Sequence, residues 1–285
     1  MLKGTPKVSV LMSAYNSEKY VGAAIEGILN QTFTDFEFII VNDGSTDSTP
    51  EIIDSYAKKD KRIHFVNNKK NQGIVGALNS ASDLCRGKYI ARMDSDDISL
   101  PTRLETQVEY MDMHPECGVL GASIRYFGNI KKEHIARYPS RVTIIDMVAA
   151  SPIANPVSMI RRDILVDKQI KYNPDFIAAE DYAMWSELIM VTEIHNLPQV
   201  LLNYRWNNGN NISITKGDLQ KRNAVIVQDN LLNKMTSIPV FRRKLRRMAR
   251  MAHLFYGYDK LTLREILHHP IRSLYVAVHK NKGNH

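Results

Sequence analysis

The sequence predicts an α/β protein, with a mainly parallel central sheet, helices on both faces, and a basic helical extension at its C-terminal end. Three observations predict this. Short apolar runs alternate with helically spaced segments through the first hundred residues. Three of those runs end in a polar loop: SAYN, NDGSTD and DSDD. From Leu219 onward the pattern is almost wholly helical.

The elements follow in order. Lys7 to Met12 (KVSVLM) reads as a strand, and Tyr20 to Asn30 has helical spacing. Phe36 to Val41 (FEFIIV) is a second strand, and Glu51 to Lys59 a helix with Ser48 or Thr49 as N-cap and Pro50 in its first turn. Ile63 to Val66 is a short third strand, and the helix after NNKKNQG runs to about Leu84. Lys88 to Met93 (KYIARM) is a fourth strand leading straight into the aspartates. Further on, Pro101 to Met113, 139–150 and 180–191 read as helices, and Gly118 to Phe127 and 198–206 as strands. The chain divides into a first half (1–100), a second half of the same domain (101–214) and a helical basic tail (215–285).

A length of 285 residues suffices for a substantial core, and 44% hydrophobic content is that of an ordinary globular protein. Cys85 and Cys117 form no CxxC pair, which argues against a zinc knuckle or a disulfide framework and fits a reducing compartment. No run approaches the ~20 apolar residues that cross a bilayer, and the N-terminal stretch lacks a secretory pattern, so the expectation is a cytoplasmic protein. Charge is unevenly spread: residues 215–285 carry a net +11, and residues 1–214 a net −3. The basic end suits an anionic surface, while the body is slightly acidic.

In parallel α/β sheets, ligands bind beyond the C-terminal ends of the strands. SAYN, NDGSTD and DSDD should therefore converge on one edge. Asp94, Asp96 and Asp97 repel one another, and a hard divalent cation would offset that repulsion; Mg²⁺ and Mn²⁺ favour oxygen ligands and use only one or two carboxylates beside phosphate. A solvated, helix-capping turn is the plainer reading of such a cluster. Asp43 ends a strand where it can accept hydrogen bonds from a base or ribose, or it can close a simple Asp-Gly turn. Gly73 and Gly76 give only GxxG, suited to backbone approach at a helix start or to close packing. No GxGxxG follows the first strand and no GxxxxGK[ST] occurs, so the dinucleotide and P-loop fingerprints are absent. Glu180 and Asp181 open an apolar helix, either as dipole-favoured caps or as a carboxylate base.

Taken together, VSVLMSAYNSEKY, FEFIIVNDGSTDST, NQGIVGALNSA, GKYIARMDSDDI and AEDYAMW resemble glycosyltransferase family 2 in order and spacing, across roughly residues 5–215. The resemblance implies a GT-A (Rossmann-like) fold, a UDP-sugar donor, Mn²⁺ or Mg²⁺, and inversion at the anomeric carbon. It assigns Ala14 and Tyr15, with Asn16 and Glu18, to the nucleotide pocket, and Asp43 to the uracil edge. Asn71, Gly73, Asp94 and Ser95 join the donor set, with Asp96 on the ribose and near the metal, and Asp97 on the metal. Asp181 aligns with the general base, and Glu180 assists. Asn155, Arg161, Trp185 and Arg205 fall on the acceptor side. Two departures stand out: Leu78 occupies a position that is often Arg, and Trp206, Asn207 and Asn208 stand where a histidine often follows Tyr-Arg.

The expected acceptor is a saccharide on a lipid carrier in bacterial surface-polysaccharide synthesis. From Phe241, FRRKLRRMARMAHLFYGY has the pattern of a basic amphipathic helix. It either packs on the domain or, with 241–280 as a whole, contacts an anionic membrane surface. Two other classes were weighed. A sugar-nucleotide nucleotidyltransferase usually begins with a Gly-rich basic loop, which SAYNSEKY is not. A nucleic-acid binder using the arginines leaves the acidic cluster unexplained, so no nucleic-acid partner is expected.

Overall fold

The computed structural model describes residues 4–206 and 215–235. The first four strands are β1 (Val8–Ala14), β2 (Phe36–Asp43), β3 (Ile63–Asn68) and β4 (Tyr89–Asp94), linked by helices α1 (Val21–Leu29), α2 (Thr49–Ala57) and α3 (Gly73–Leu84). They pair in parallel in the order β3-β2-β1-β4, as the alternation predicts. β2 is buried along its whole length, which explains its continuous apolar run. α2 begins at Thr49, ahead of the expected Glu51, with Ser48 at the N-cap position as expected; the Ser48 side chain makes no capping bond, and the Asp47 carboxylate accepts the Thr49 N–H at 3.0 Å.

Beyond β4 the sheet becomes mixed. β5 (Ile98–Ser99) and α4 (Arg103–Met113) follow the aspartates, then β6 (Cys117–Gly128), β7 (His134–Ala136) and α5 (Ile144–Ala149). β8 (Met159–Arg161) and α6 (Arg162–Asp167) precede α7 (Glu180–Leu188), β9 (Glu193–Trp206) and α8 (Gly217–Met235). β8 wedges antiparallel between β4 and β6, and β6 runs parallel to β9. The helix expected over 139–150 begins later, because Val142 N–H bonds the Ile194 carbonyl at 2.8 Å and holds that stretch extended; a Thr143–Asp146 capping box then starts α5. β9 starts before Pro198 rather than at it. A register shift opposite Ala122 and Ser123 absorbs Pro198 as an irregularity, as a residue without an N–H requires.

Two apolar clusters cover the two faces of the sheet. One joins α1, α2 and α4 to Val10, Phe38 and Met93. The other joins α3, α5, α7 and α8 to Leu11, Ile39 and Trp185. The first described helix of the C-terminal extension thus packs on the domain, through Val227, Leu231 and Leu232 and a Lys234–Glu187 ion pair of 2.5 Å. The Phe241 helix and the 241–280 contact lie outside the described residues. Among those described, no helix is long and apolar enough to cross a membrane.

Arg161 stitches the mixed half together. It is buried and donates to the carbonyls of Cys117 (2.9 Å), His114 (2.9 Å) and Met111, and to the Tyr89 hydroxyl (3.2 Å). Removing it takes a donor from each of those carbonyls and leaves a cavity in the interior. Arg161→Ala should lower unfolding free energy by about 3 kcal/mol in urea titrations. A loss below about 1 kcal/mol would show that the network is dispensable.

Candidate functional site

The parallel register brings the three polar loops to one edge. Ala14 lies opposite Asn42, Ser13 opposite Asp94, and Asp43 opposite Asn68. Side chains then lace the loops to each other. Asn16 N–H bonds Ser45 Oγ at 3.0 Å, and Asn16 Oδ1 accepts Thr46 N–H at 2.9 Å. Ser17 Oγ meets Ser95 Oγ at 2.8 Å, and Ser17 N–H donates to Thr49 Oγ1 at 2.8 Å. Glu18 accepts Ser48 N–H at 3.0 Å and gives its own N–H to Asp47 at 3.1 Å. Asn16 sits at φ 48°, a left-handed conformation that asparagine tolerates.

Within this frame Ala14 is buried and Tyr15 half exposed. Asp43 is buried, and its Oδ1 accepts Gln72 N–H at 2.9 Å and the Asn68 amide at 3.3 Å. Asn71 Oδ1 receives Gly73 N–H at 2.8 Å, and Gly73 takes φ 78° at the head of α3. Gly44 at φ 70° is obligatory: a Cβ there would lie 2.6 Å from Asn71 N. The β2 and β3 loops therefore touch backbone to backbone. Leu78 is fully buried in the core, so this position offers no contact to a nucleotide.

The aspartates divide by exposure. Asp94 is part-exposed and pairs with the buried Arg92 guanidinium at 2.5 Å. Asp96 is part-exposed, and burial with the adjacent Asp94 charge pushes its carboxyl up to about 6. Asp97 is 1% exposed: its Oδ1 accepts Arg205 N–H at 2.7 Å, and its Oδ2 is enclosed without a donor. Burial first, then Asp94 and Asp96, raise it well above the usual carboxylate range. The residue expected on the metal is thus the most enclosed of the three aspartates.

Glu180 and Asp181 occupy the first turn of α7, where the helix dipole favours negative charge. Burial, then Glu180, then among other groups Asp94, push Asp181 up to about 7. Burial chiefly raises Glu180, whose Oε2 is enclosed and unpartnered. The Asp94 charge thus raises the titration of both members of the pair. Among the described residues no three His, Cys, Asp or Glu side chains form a metal cage. The two part-exposed carboxylates suit an oxygen-seeking ion that takes its other ligands from phosphate and water.

The acceptor-side expectations fare unevenly. The turn containing Asn155 lies on the site side of β8, where Ser158 carbonyl accepts Arg92 N–H at 2.9 Å, and its Oδ1 is enclosed and unpartnered. Arg161 instead pairs opposite Tyr89, at the far end of β4, and its donors are engaged by carbonyls. Trp185 is fully buried in the core. Arg205 braces the aspartate loop, with Nε on the Asp96 carbonyl at 2.7 Å and its guanidinium 4.4 Å from the rings of Tyr20 and Phe127. Neither Arg161 nor Trp185 can meet an acceptor there. Asn207 and Asn208 lie outside the described residues. Sequence reasoning missed Arg92, although a charged residue inside KYIARM was its signal.

A family model described as Glycosyl transferase family 2 matches residues 9–171. An uncharacterized glycosyltransferase of Haemophilus influenzae is 32% identical over 82% of this chain and 77% of its own. The Escherichia coli O-antigen biosynthesis glycosyltransferase WbnJ is 35% identical over 70% of this chain and 80% of its own. Among solved structures, S. aureus TarS 1–349 in complex with UDP-GlcNAc superimposes with a TM-score of 0.68 at 20% identity, covering 91% of this chain and 77% of that one. Its likeness is one of fold.

The raised carboxyls set the sign of a pH effect. Groups that titrate higher in the folded state stabilise it fully below their unfolded values near 4, and that contribution is lost as pH rises through about 6 for Asp96 and about 7 for Asp181. Asp181→Asn should therefore melt close to the parent at pH 4.5 and ~4 °C or more above it at pH 8, without added metal. A melting difference that does not change with pH would contradict this.

Proposed function

The chain belongs to glycosyltransferase family 2, and from that premise we propose that it moves a hexose or N-acetylhexosamine from a UDP-sugar to a hydroxyl of a saccharide acceptor in surface-polysaccharide synthesis. The convergence of SAYN, NDGSTD and the aspartate loop on one edge of the sheet, joined by the Ser17–Ser95 contact, carries this reading, and the raised carboxyls of Asp96 and Asp181 support it. The named role of the E. coli relative supports the polysaccharide class. The S. aureus fold supports a frame that holds a UDP-sugar.

Asp43, fixed by Gln72 and Asn68, reads the uracil edge, and Tyr15 covers the base from the solvent side. Asp96 and Asp94 would hold Mn²⁺ or Mg²⁺; bound there, the ion supplies positive charge against the carboxylates and the departing diphosphate. Asp97 works from behind, fixing Arg205 and the loop. An acceptor hydroxyl is a weak nucleophile at neutral pH, so a base must take its proton as attack develops. Asp181, titrating near 7, is tuned for that step. The hydroxyl oxygen bonds to the anomeric carbon, the proton passes to Asp181, and the bond to the diphosphate oxygen breaks with its electron pair leaving on UDP. One displacement inverts the anomeric centre.

Asp181→Asn should lower transfer about a thousandfold or more while UDP still binds, measured by UDP release and by titration of UDP with Mn²⁺. kcat/KM of the parent should fall on the acid side of about pH 7. Asp96→Asn should instead lose the Mn²⁺-dependent part of UDP binding. Normal turnover by Asp181→Asn would sink the base assignment.

We also propose that the acceptor rides on a lipid carrier and that residues 241–280, with their arginine-rich helical pattern, contact the membrane surface. The full chain should sediment with anionic vesicles and a chain ending at Met235 should not; equal binding would refute this.

A further inference from the structure

The transfer reading above gives the acceptor no seat of its own. At the C-terminal ends of β6 and β9, Tyr126 pairs opposite Tyr204 and Gly128 opposite Trp206. The Tyr126 ring stacks on His134 at 4.4 Å and 11°, and lies 5.1 Å from Tyr204 and 6.0 Å from Trp206. Tyr126 and Tyr204 pack against the rim of the first apolar cluster, yet they and Trp206 are part-exposed and His134 is exposed, so the four rings keep open surface.

Their position matters more than their number. Arg205 lies between Tyr204 and Trp206 and gives its N–H to Asp97 at 2.7 Å and its Nε to the Asp96 carbonyl at 2.7 Å. The cluster is therefore pinned beside the aspartate loop, on the β6–β9 half of the sheet. The nucleotide loops leave the other half, at β1 to β3. Tyr138 packs against the same apolar cluster as Tyr126 and Tyr204. The rings thus stand beside the aspartate loop, on the side away from the nucleotide loops.

A pyranose presents an apolar C–H face and a rim of hydroxyls. Aromatic faces are apolar and electron-rich, and so complement that face; a few polar groups at the edge then fix orientation. We propose that Tyr126, Tyr204 and Trp206, flanked by His134, form the subsite that receives a pyranose ring of the acceptor. The proposal rests on the glycosyl-transfer reading.

The chain contains a built-in reporter. Of its two tryptophans, Trp185 is fully buried in the core and Trp206 belongs to the cluster. The full chain with UDP and Mn²⁺ is titrated with the octyl β-glycosides of glucose, galactose and N-acetylglucosamine, below micelle formation, while tryptophan emission is followed. At least one glycoside should give a saturable change that disappears in Trp206→Phe. Tyr126→Ala or Tyr204→Ala should weaken its binding about tenfold, and the corresponding Phe variants less than about threefold. No saturable change with any of the three, or binding that both alanine variants leave intact, overturns the subsite. UDP release from UDP-sugars by the same preparation separates the two ideas. Release without glycoside binding removes the subsite alone, whereas absence of both release and UDP binding removes the transferase reading beneath it.

Discussion

The ion pair between Arg92 and Asp94, 2.5 Å long with the guanidinium 2% exposed, is the contact on which the acidic cleft depends. Taking an arginine out of water costs several kcal/mol unless it is paired. Placing carboxylates side by side is also unfavourable. Here each liability offsets the other. Arg92 is anchored further by its N–H on the Ser158 carbonyl and its guanidinium on the Met93 carbonyl. A second buried arginine, Arg103, holds the Arg92 carbonyl at 2.6 Å; burial and the nearby Arg92 charge lower its titration to about 9. The aspartate loop therefore stands on a positively charged floor, which lowers the titration of Asp96, Asp97 and Glu180 against the burial that raises it.

The floor only works because the mixed half of the sheet closes over it. The turn before β8 supplies the Ser158 carbonyl, and β9 supplies Arg205 to Asp97 and to Asp96. The aspartates thus hold together segments more than a hundred residues apart, while the first-half loops hold themselves through Asn16, Ser17 and Glu18. The parallel first half and the mixed second half of the sheet meet at DSDD. Geometry on either side of that loop can vary only as far as Arg92 and Arg205 allow.

Much of this was legible in the sequence, because parallel strands buried on both faces read as continuous apolar runs. β1 to β4 and the convergence of their loops follow from that pattern and from the rule that ligands sit at strand ends. β5, β7 and β8 were not legible: at two or three residues each they carry no periodicity, and they exist only because longer neighbours pair with them. Arg161 and Trp185 look like site residues in a motif-rich segment. Spacing along the chain does not say which end of β8 an arginine serves, or that the Trp185 face of α7 turns to the core. The exposure of the aspartates was hidden for a related reason. Adjacent aspartates are equivalent in a sequence, and only the folded turn between β4 and β5 decides the alternation, with Asp94 and Asp96 part-exposed and Ser95 and Asp97 buried.

That alternation bears on how the site is switched on. Asp96, Asp97 and Asp181 all titrate above the ordinary carboxylate range, so the unliganded cleft retains protons that isolated aspartates would have lost. In the proposed transfer, Asp96 and Asp94 would hold a cation whose positive charge offsets theirs and that of the diphosphate. Asp181, raised to about 7 by burial beside Glu180, would take the proton of the acceptor hydroxyl. The two roles call for different environments: charge held on the aspartate loop, and a carboxylate poised near neutrality at the head of α7.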